Sequence, residues 1–305
     1  MVKSSKIAII GVPQDLGASR RGVDMGPMAI RVAGLHNKIK SLGYDIEDYG
    51  NLHCYDIDEA TDSEDPNPKL RYLPHIIDSC LHLKHAINKA LAKDSFPLVI
   101  GGDHSITIGT LAGMKKFHQG KTGIIWVDAH GDFNTHETTM SGNIHGMPFA
   151  VLTGRGEKSL LNIGPSPTVI ESNSVLLAAR DLDPEEIKLL NASNVTVFTM
   201  KNIDEKGMAS ISKKAIEIAT RGVDHLHISF DIDALDPNEA PGTGTRVAGG
   251  LTYREAHLLM ELVHECGKLS SLDILEVNPT LDIRNKTAKL AVGLIGSALG
   301  AKIIE

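Results

Sequence analysis

Seven short apolar runs, spread over a chain of 305 residues, constrain the fold more than any other feature. Each run has the length of a buried β-strand and is far too short to cross a membrane. The runs occupy residues 6–12, 97–102, 122–128, 174–180, 195–199, 225–231 and 272–277. Amphipathic, helix-like segments lie between many of them. Strands that alternate with helices in this way predict an α/β fold whose parallel sheet is covered on both faces.

Four of the intervening segments carry explicit helix signals, namely Pro near a start, Gly after an end, a capping box or apolar spacing. The predicted helices are residues 27–42, 70–92, the segment from Thr252 and Glu255 to Gly267, and 285–301. We therefore expect a three-layer α/β/α architecture with a parallel sheet of roughly eight strands. One domain spanning residues 1–305 is the economical interpretation. The acidic, Pro-containing segment 56–68 is interpreted as a surface excursion.

Composition argues against several classes of protein. The net charge is −7 and only 4% of residues are aromatic, so no basic or base-stacking surface for nucleic acid is expected. Cys54, Cys80 and Cys266 are odd in number and form no CxxC motif, which favours a reducing compartment. The N-terminus lacks the pattern of a signal peptide, and no apolar stretch reaches the length of a membrane helix. We expect a cytoplasmic protein without nucleic-acid or membrane partners.

Polar clusters follow five of the predicted strands. They are GGDHS (101–105), DAHGD (128–132), ARDLD (179–183), FDIDALD (230–236) and EVNP (276–279). In open parallel sheets, ligands bind at the carboxyl ends of the strands. Any one cluster alone is more often a solvated turn than a site. Five at the same edge predict a ligand-binding site there.

Three of these clusters contain a set of candidate metal ligands. Side chains two residues apart on an extended backbone point the same way, as in the DxHxD and DxD patterns. The candidates are His104, Asp128, His130, Asp132, Asp231 and Asp233. Four carboxylates balance two divalent cations and would repel one another without them. A carboxylate-rich set without thiolates favours Mn²⁺ over Zn²⁺. We predict two Mn²⁺ per subunit, with Asp128 and Asp231 as candidate bridging ligands.

Other known motifs that contain the same residue types fit this sequence less well. FDIDALD lacks the Thr or Val of a phosphoaspartate motif and the central Gly and distal Glu of a calcium-binding EF-hand loop. GTGT at 242–245 has no following Lys, so the phosphate-binding P-loop is excluded.

The motifs GGDHS, DAHGD, SGNIHGMP, SFDIDALDP and EVNP occur in the order and spacing typical of the ureohydrolase family. The chain resembles this family from residue 11 to residue 300, and within it most resembles the bacterial arginases. The resemblance implies a dimanganese hydrolase that cleaves L-arginine to L-ornithine and urea through attack of a metal-bound hydroxide. It also implies a homotrimer or homohexamer, with the C-terminal helix as a plausible contact.

The resemblance further implies a role for each matching residue. One Mn²⁺ would be held by His104, Asp128, Asp132 and Asp231, and the other by Asp128, His130, Asp231 and Asp233. Asp132 would orient the hydroxide, Glu276 would pair with the guanidinium, and His145 would carry a proton. Asn134, Ser141, Asn143 and Thr245 would meet the α-carboxylate, and Asp183 and Glu186 would lie near the α-ammonium.

Two places depart from the family's commonest pattern. Arg246 stands where the family usually has Pro, and His136 and Met140 lie in a loop that often contains Pro. Both places bear on affinity and selectivity rather than on the chemistry. Two alternatives stay open: another ureohydrolase such as an agmatinase, and an inactive homologue that acts as a binding protein. The EVNP motif and the complete set of residues for the α-carboxylate and α-ammonium disfavour an agmatinase. The presence of all six metal ligands, with His145 and Glu276, disfavours an inactive homologue.

Overall fold

A single eight-stranded parallel sheet forms the centre of the molecule. The computed structural model describes residues 4–60, 69–115, 117, 122–302 and 304. The strands are β1 (Lys6–Val12), β2 (Asp45–Asn51), β3 (Phe96–Gly101), β4 (Thr122–Val127), β5 (Ser174–Ala179), β6 (Thr196–Thr199), β7 (His225–Asp231) and β8 (Leu269–Leu275). Their order is β2-β1-β3-β8-β7-β4-β5-β6, and every pair is parallel. The predicted fold class is confirmed.

Helices cover both faces of this sheet. They are α1 (Gly26–Val32), α2 (Leu35–Ser41), α3 (Leu73–Leu91), α4 (Thr107–Met114), α5 (Pro148–Leu152), α6 (Lys158–Leu161), α7 (Pro184–Asn191), α8 (Met200–Lys206), α9 (Met208–Ala219), α10 (Tyr253–Glu265) and α11 (Lys286–Ala298). Alternate residues of a strand point to opposite faces. Thus Ile7 and Ile9 of β1 join one hydrophobic core, and Ala8 and Ile10 join another. Within the described residues, no helix combines the length and apolarity needed to cross a membrane.

The structure corrects two expectations about local elements. The single helix predicted for residues 27–42 is wrong, because Gly34, with φ of 100°, separates α1 from α2. The sequence prediction also omitted β2, whose residues DIEDYGN are polar and largely exposed. This strand lies at the edge of the sheet, where one flank faces no neighbour and apolar residues are not required. Part of the predicted surface excursion, residues 61–68, lies outside the described residues.

The strand order brings the polar clusters together. GGDHS, EVNP, FDIDALD, DAHGD and ARDLD follow β3, β8, β7, β4 and β5, which are five consecutive neighbours in the sheet. Because the strands are parallel, all five clusters emerge at one edge. The parallel sheet therefore places all five clusters at the carboxyl ends of its strands.

We expect Gly123→Ala to destabilise the protein by about 2 kcal/mol, because added core atoms force displacement of their neighbours. A Cβ at Gly123 of β4 would lie 1.7 Å from the carbonyl oxygen of Ala219, at the end of α9. The helix backbone would have to move away from the sheet. Urea unfolding measures the change. Gly146→Ala is the control, since a Cβ there meets nothing within 4 Å, and equal stability losses would contradict the prediction.

Candidate metal and substrate site

His104 lies where three acidic side chains converge. It begins a short 3₁₀ turn after β3, whose start is capped by Asp103. Its Nδ1 atom is 3.1 Å from Oδ2 of Asp128, 3.2 Å from Oδ2 of Asp132 and 3.2 Å from Oδ2 of Asp231. The imidazole is fully buried, and so is Asp128. Residues from three different strand ends therefore meet around one ring nitrogen.

A second cluster shares Asp128 with the first. Nδ1 of His130 is 3.0 Å from Oδ2 of Asp233 and 3.4 Å from Oδ1 of Asp128. Ligand atoms of His104, Asp128 and Asp231 lie within 4.8 Å of one another, and so do those of Asp128, His130 and Asp233. Asp128 is the member common to both groups. The six predicted ligands are thus gathered at one place.

The carboxylates of these clusters are close enough to perturb each other's ionisation. Burial and the charge of Asp128 raise the pKa of Asp132 to about 7. Burial, together with Asp233 and Asp128, raises the pKa of Asp231 well above its ordinary value. Burial alone would also raise the pKa of Asp128, but hydrogen bonds from His104 and His130 hold that pKa well below the usual range. The protein alone supplies too little positive charge for this set of acids.

The donor set fits divalent cations. It consists of carboxylate oxygens and imidazole nitrogens without a thiolate, which suits hard to borderline metal ions. Coordination by cations would also provide the positive charge that four neighbouring carboxylates require. The two groups could therefore each hold a metal ion.

Side chains behind the ligands fix their orientation. Nε2 of His104 is 2.8 Å from the hydroxyl of Ser229, and its ring stacks on Trp126 at a centroid distance of 3.9 Å. Trp126 also donates from Nε1 to Oδ2 of Asp128 at 3.0 Å. Such outer partners orient metal ligands and tune them. Sequence reasoning missed both residues. Ser229 had a signal, because it precedes Asp231 by two positions on the same face of β7.

The backbone holds two of the carboxylates directly. The N–H of His130 donates to Oδ1 of Asp128 at 2.7 Å, and the N–H of Asp233 donates to Oδ1 of Asp231 at 2.7 Å. In each pair, the backbone N–H of the second ligand therefore holds the carboxylate of the first ligand, which lies two residues earlier. The i, i+2 spacing thus supplies ligands and also orients them.

Buried Glu276 pairs with half-buried His145 next to the first cluster. Oε1 of Glu276 accepts from the backbone N–H of His104 at 3.0 Å and lies 3.1 Å from Nδ1 of His145. Glu276 has φ of 61° and Asp132 has φ of 48°, a backbone conformation that is uncommon outside glycine. Burial lowers the pKa of His145, but its hydrogen bond and charge interaction with Glu276 prevail and raise it to about 9. Strained backbone at two predicted site residues is typical of functional sites.

A cavity of about 300 Å³ opens onto the clusters. Its lining includes His130, Asp132, Asn134, Ser141, Asn143, His145, Asp181, Asp183, Glu186, Asp231 and Thr245. All the predicted substrate-binding residues except Glu276 are in this wall. Glu276 is buried and lies 3.1 Å from His145, which is in the wall. Asp181, which the sequence analysis did not single out, is an additional member.

Hydrogen bonds set the polar groups of the cavity in place. Nδ2 of Asn134 donates to Oδ2 of Asp183 at 2.9 Å, and Oγ1 of Thr245 donates to Oδ2 of Asp233 at 2.8 Å. Asp183 caps α7, and Glu186 completes the capping box. Glu186 also accepts from the N–H of Phe133 at 2.7 Å, so its carboxylate is largely occupied by backbone donors. Burial and the charge of Asp132 raise the pKa of Glu186 to about 7.

Comparison with known proteins gives consistent relationships. The family model described as "Arginase family" matches residues 5–300. The arginase of Bacillus subtilis strain 168 is 46% identical over 299 residues, covering 98% of this chain and 99% of the relative. The native structure of Bacillus caldovelox arginase is 46% identical, with a TM-score of 0.94 over 98% of this chain and 99% of that one. Entamoeba histolytica arginase, solved in complex with L-ornithine, is 30% identical, with a TM-score of 0.87 over 98% and 99% of the two chains.

Proposed function

Because the chain belongs to the arginase family, we propose that it hydrolyses the guanidinium group of L-arginine to give L-ornithine and urea. One observation carries the proposal: the two ligand clusters lie at a cavity whose wall also holds donors for a carboxylate and acceptors for an ammonium. L-Ornithine is the ligand named for the Entamoeba relative. The chain is an enzyme of this family, and arginine is the substrate that its site fits best.

We propose two Mn²⁺ ions as the cofactor. His104, Asp128, Asp132 and Asp231 would hold one ion, and Asp128, His130, Asp231 and Asp233 the other. This assignment is supported by the Asp and His donor set and by the membership of Asp128 in both clusters. When bound, such a pair of cations makes a water molecule acidic enough to ionise near neutral pH.

The protein's own residues orient the reactants. Asp132 accepts a hydrogen bond from the nucleophile. This contact orients a lone pair of the nucleophilic oxygen toward the planar guanidinium carbon. Glu276 forms a charge-assisted contact with the guanidinium, which fixes the position of that carbon. Attack of the water oxygen forms a C–O bond and a tetrahedral intermediate, and its collapse to urea breaks the C–N bond to the ornithine nitrogen. Both protons of the attacking water end on that nitrogen, which leaves as an ammonium. His145, partly exposed and paired with Glu276, carries protons between this site and solvent.

We expect His145→Asn to lower kcat by roughly tenfold while changing KM little, which is less than the ~100-fold or more that a proton-transfer group usually contributes. The side chain is 19% exposed, so water can take over part of the transfer. Steady-state kinetics on Mn²⁺-loaded protein separate the two parameters. An unchanged kcat would assign His145 a structural role only.

The proposed reaction is tested by removing and restoring the metal. Protein stripped with a chelator should release no urea from L-arginine, and Mn²⁺ should restore activity with equal amounts of urea and ornithine. Arginine that binds without turnover after Mn²⁺ loading would support the inactive homologue instead.

We propose a cytoplasmic homotrimer or homohexamer. The free thiols of Cys54, Cys80 and Cys266 agree with a reducing compartment. Exposed Tyr253 and Ile283 line a surface hollow beside α11, which agrees with a contact near the C-terminal helix. Light scattering gives the molar mass, and a monomeric mass at micromolar concentration would contradict the assembly.

A further inference from the structure

A second chamber of about 360 Å³ adjoins the substrate cavity. The two share three wall residues: His130, Asp181 and Thr245. The outer chamber adds two guanidinium groups, those of Arg20 and Arg246. Among the described residues of its wall, Asp181 is the only carboxylate, so the wall carries excess positive charge before any cation binds at His130. Of the three shared residues, Thr245 is one of the proposed carboxylate donors.

Arg246 is held in place but keeps most of its donors. Its Nη2 donates to the carbonyl oxygen of Leu281 at 2.8 Å, which ties the side chain to the 3₁₀ turn Pro279–Leu281. A guanidinium has five N–H donors, so an anion can still be bound. Among the described residues, neither Arg246 nor Arg20 forms an ion pair with a carboxylate. The charge of Arg246 is therefore anchored yet not neutralised.

Arg20 is brought to the same place by a different loop. A Cβ added to Gly244 would lie 3.9 Å from both Cβ and Cδ of Arg20, so the stem of Arg20 runs along the Gly244–Thr245 backbone. Its neighbour Ser19 accepts from Nδ2 of Asn143 at 2.9 Å. The loop that carries Arg20 is thus attached to one of the proposed carboxylate donors.

We propose that Arg20 and Arg246 are specificity-determining residues that form a cationic outer subsite for the α-carboxylate end of the substrate. This inference rests on the proposed arginine hydrolysis and deepens it. The neutral donors Asn134, Asn143 and Thr245 recognise a carboxylate at hydrogen-bond range. The two guanidinium groups act through charge over several ångströms, so they attract guanidino acids and disfavour guanidino amines.

Arg20→Gln, Arg246→Gln and the double variant test the subsite in the Mn²⁺-loaded, full-length enzyme. At low ionic strength we expect kcat/KM for L-arginine to fall about fivefold for each single variant and about 20-fold for the double, mainly through KM. Agmatine, which has no carboxylate, should be hydrolysed as before or slightly faster. At about 0.5 M salt the difference should shrink to within about twofold, because ions screen exposed charges.

Two controls separate charge from structure. Arg221→Gln removes the same charge from an exposed residue that follows α9, near the opposite end of the strands. This variant should leave kcat/KM unchanged for both arginine and agmatine. Arg246→Lys keeps the charge and should retain most of the arginine activity. Equal losses for arginine and agmatine, or no loss with either, would overturn the subsite while wild-type turnover of arginine still supports the proposed function. A wild-type enzyme without arginine turnover would overturn the proposed function and the subsite together.

Discussion

Asp128→Asn is expected to lower kcat/KM for L-arginine by about 1,000-fold or more, equivalent to about 4 kcal/mol of transition-state stabilisation. Its carboxylate belongs to both ligand groups, with Oδ2 near His104 and Oδ1 near His130. Loss of an outer partner of a metal ligand already costs roughly 10–100-fold, and loss of a shared ligand should cost more. We expect the variant to retain fewer than the two equivalents of Mn²⁺ proposed for the wild type.

Metal analysis after Mn²⁺ loading and desalting should be run with the kinetics. Asp78→Asn is the matched control, because Asp78 is 41% exposed on α3 and pairs only with His82 at 3.7 Å among the described residues. Asp231→Asn should be comparably severe, because Asp231 is also proposed to hold both ions and its ligand oxygen lies with those of His104 and Asp128. Full activity of Asp128→Asn with one tightly held metal would refute the shared-ligand assignment.

L-Arginine is expected to exceed agmatine in kcat/KM by at least roughly 100-fold, about 2.7 kcal/mol. A site built to bind a polar group can reject the analogue that lacks it by ~10⁴-fold, because its donors are left unpaired. Here Ser141 is exposed to water and the hydroxyl of Thr245 already donates to Asp233, so the penalty is softened. Asn134 is only 8% exposed and would lose more.

Both substrates should be measured at the same Mn²⁺ loading. Asp183→Ala should raise KM for arginine far more than it lowers kcat, because Asp183 lies at the cavity wall, accepts from Asn134 and belongs to neither ligand group. Equal kcat/KM values, or a preference for agmatine, would replace the proposed arginine substrate with agmatine and would leave the proposed two-metal hydrolysis untouched.

Much of this molecule is determined by local sequence. Strands β3 and β4 are central and buried on both faces, and their sequences FPLVIG and TGIIWV are apolar enough to have been predicted. Strands β7 and β8 are also buried but include polar residues such as Ser229 and Asp273, and they were predicted from the apolar residues between them. The capping box of α10 requires only Thr252 and Glu255, three residues apart, and it forms as predicted. The edge strand β2 escaped prediction because exposure removes the apolar signal. The break at Gly34 escaped because a glycine inside a helical pattern does not by itself reveal a positive φ.

The candidate ligands were also readable from sequence, because Asp128, His130 and Asp132 follow the end of one strand closely. The expected extended backbone was wrong, since β4 ends at Val127 and Asp132 has φ of 48°. The mutual arrangement of the ligands was not readable from sequence. The chain order β3, β4, β5, β7, β8 becomes the spatial order β3-β8-β7-β4-β5, which brings His104 and Asp231 together across 127 positions. The pairing of His145 with Glu276 across 131 positions, and the meeting of Arg20 with the loop of Arg246, have the same origin. Local patterns fix which side chains leave each strand, whereas contacts between strand ends depend on the order in which the strands pair, and no short segment encodes that order.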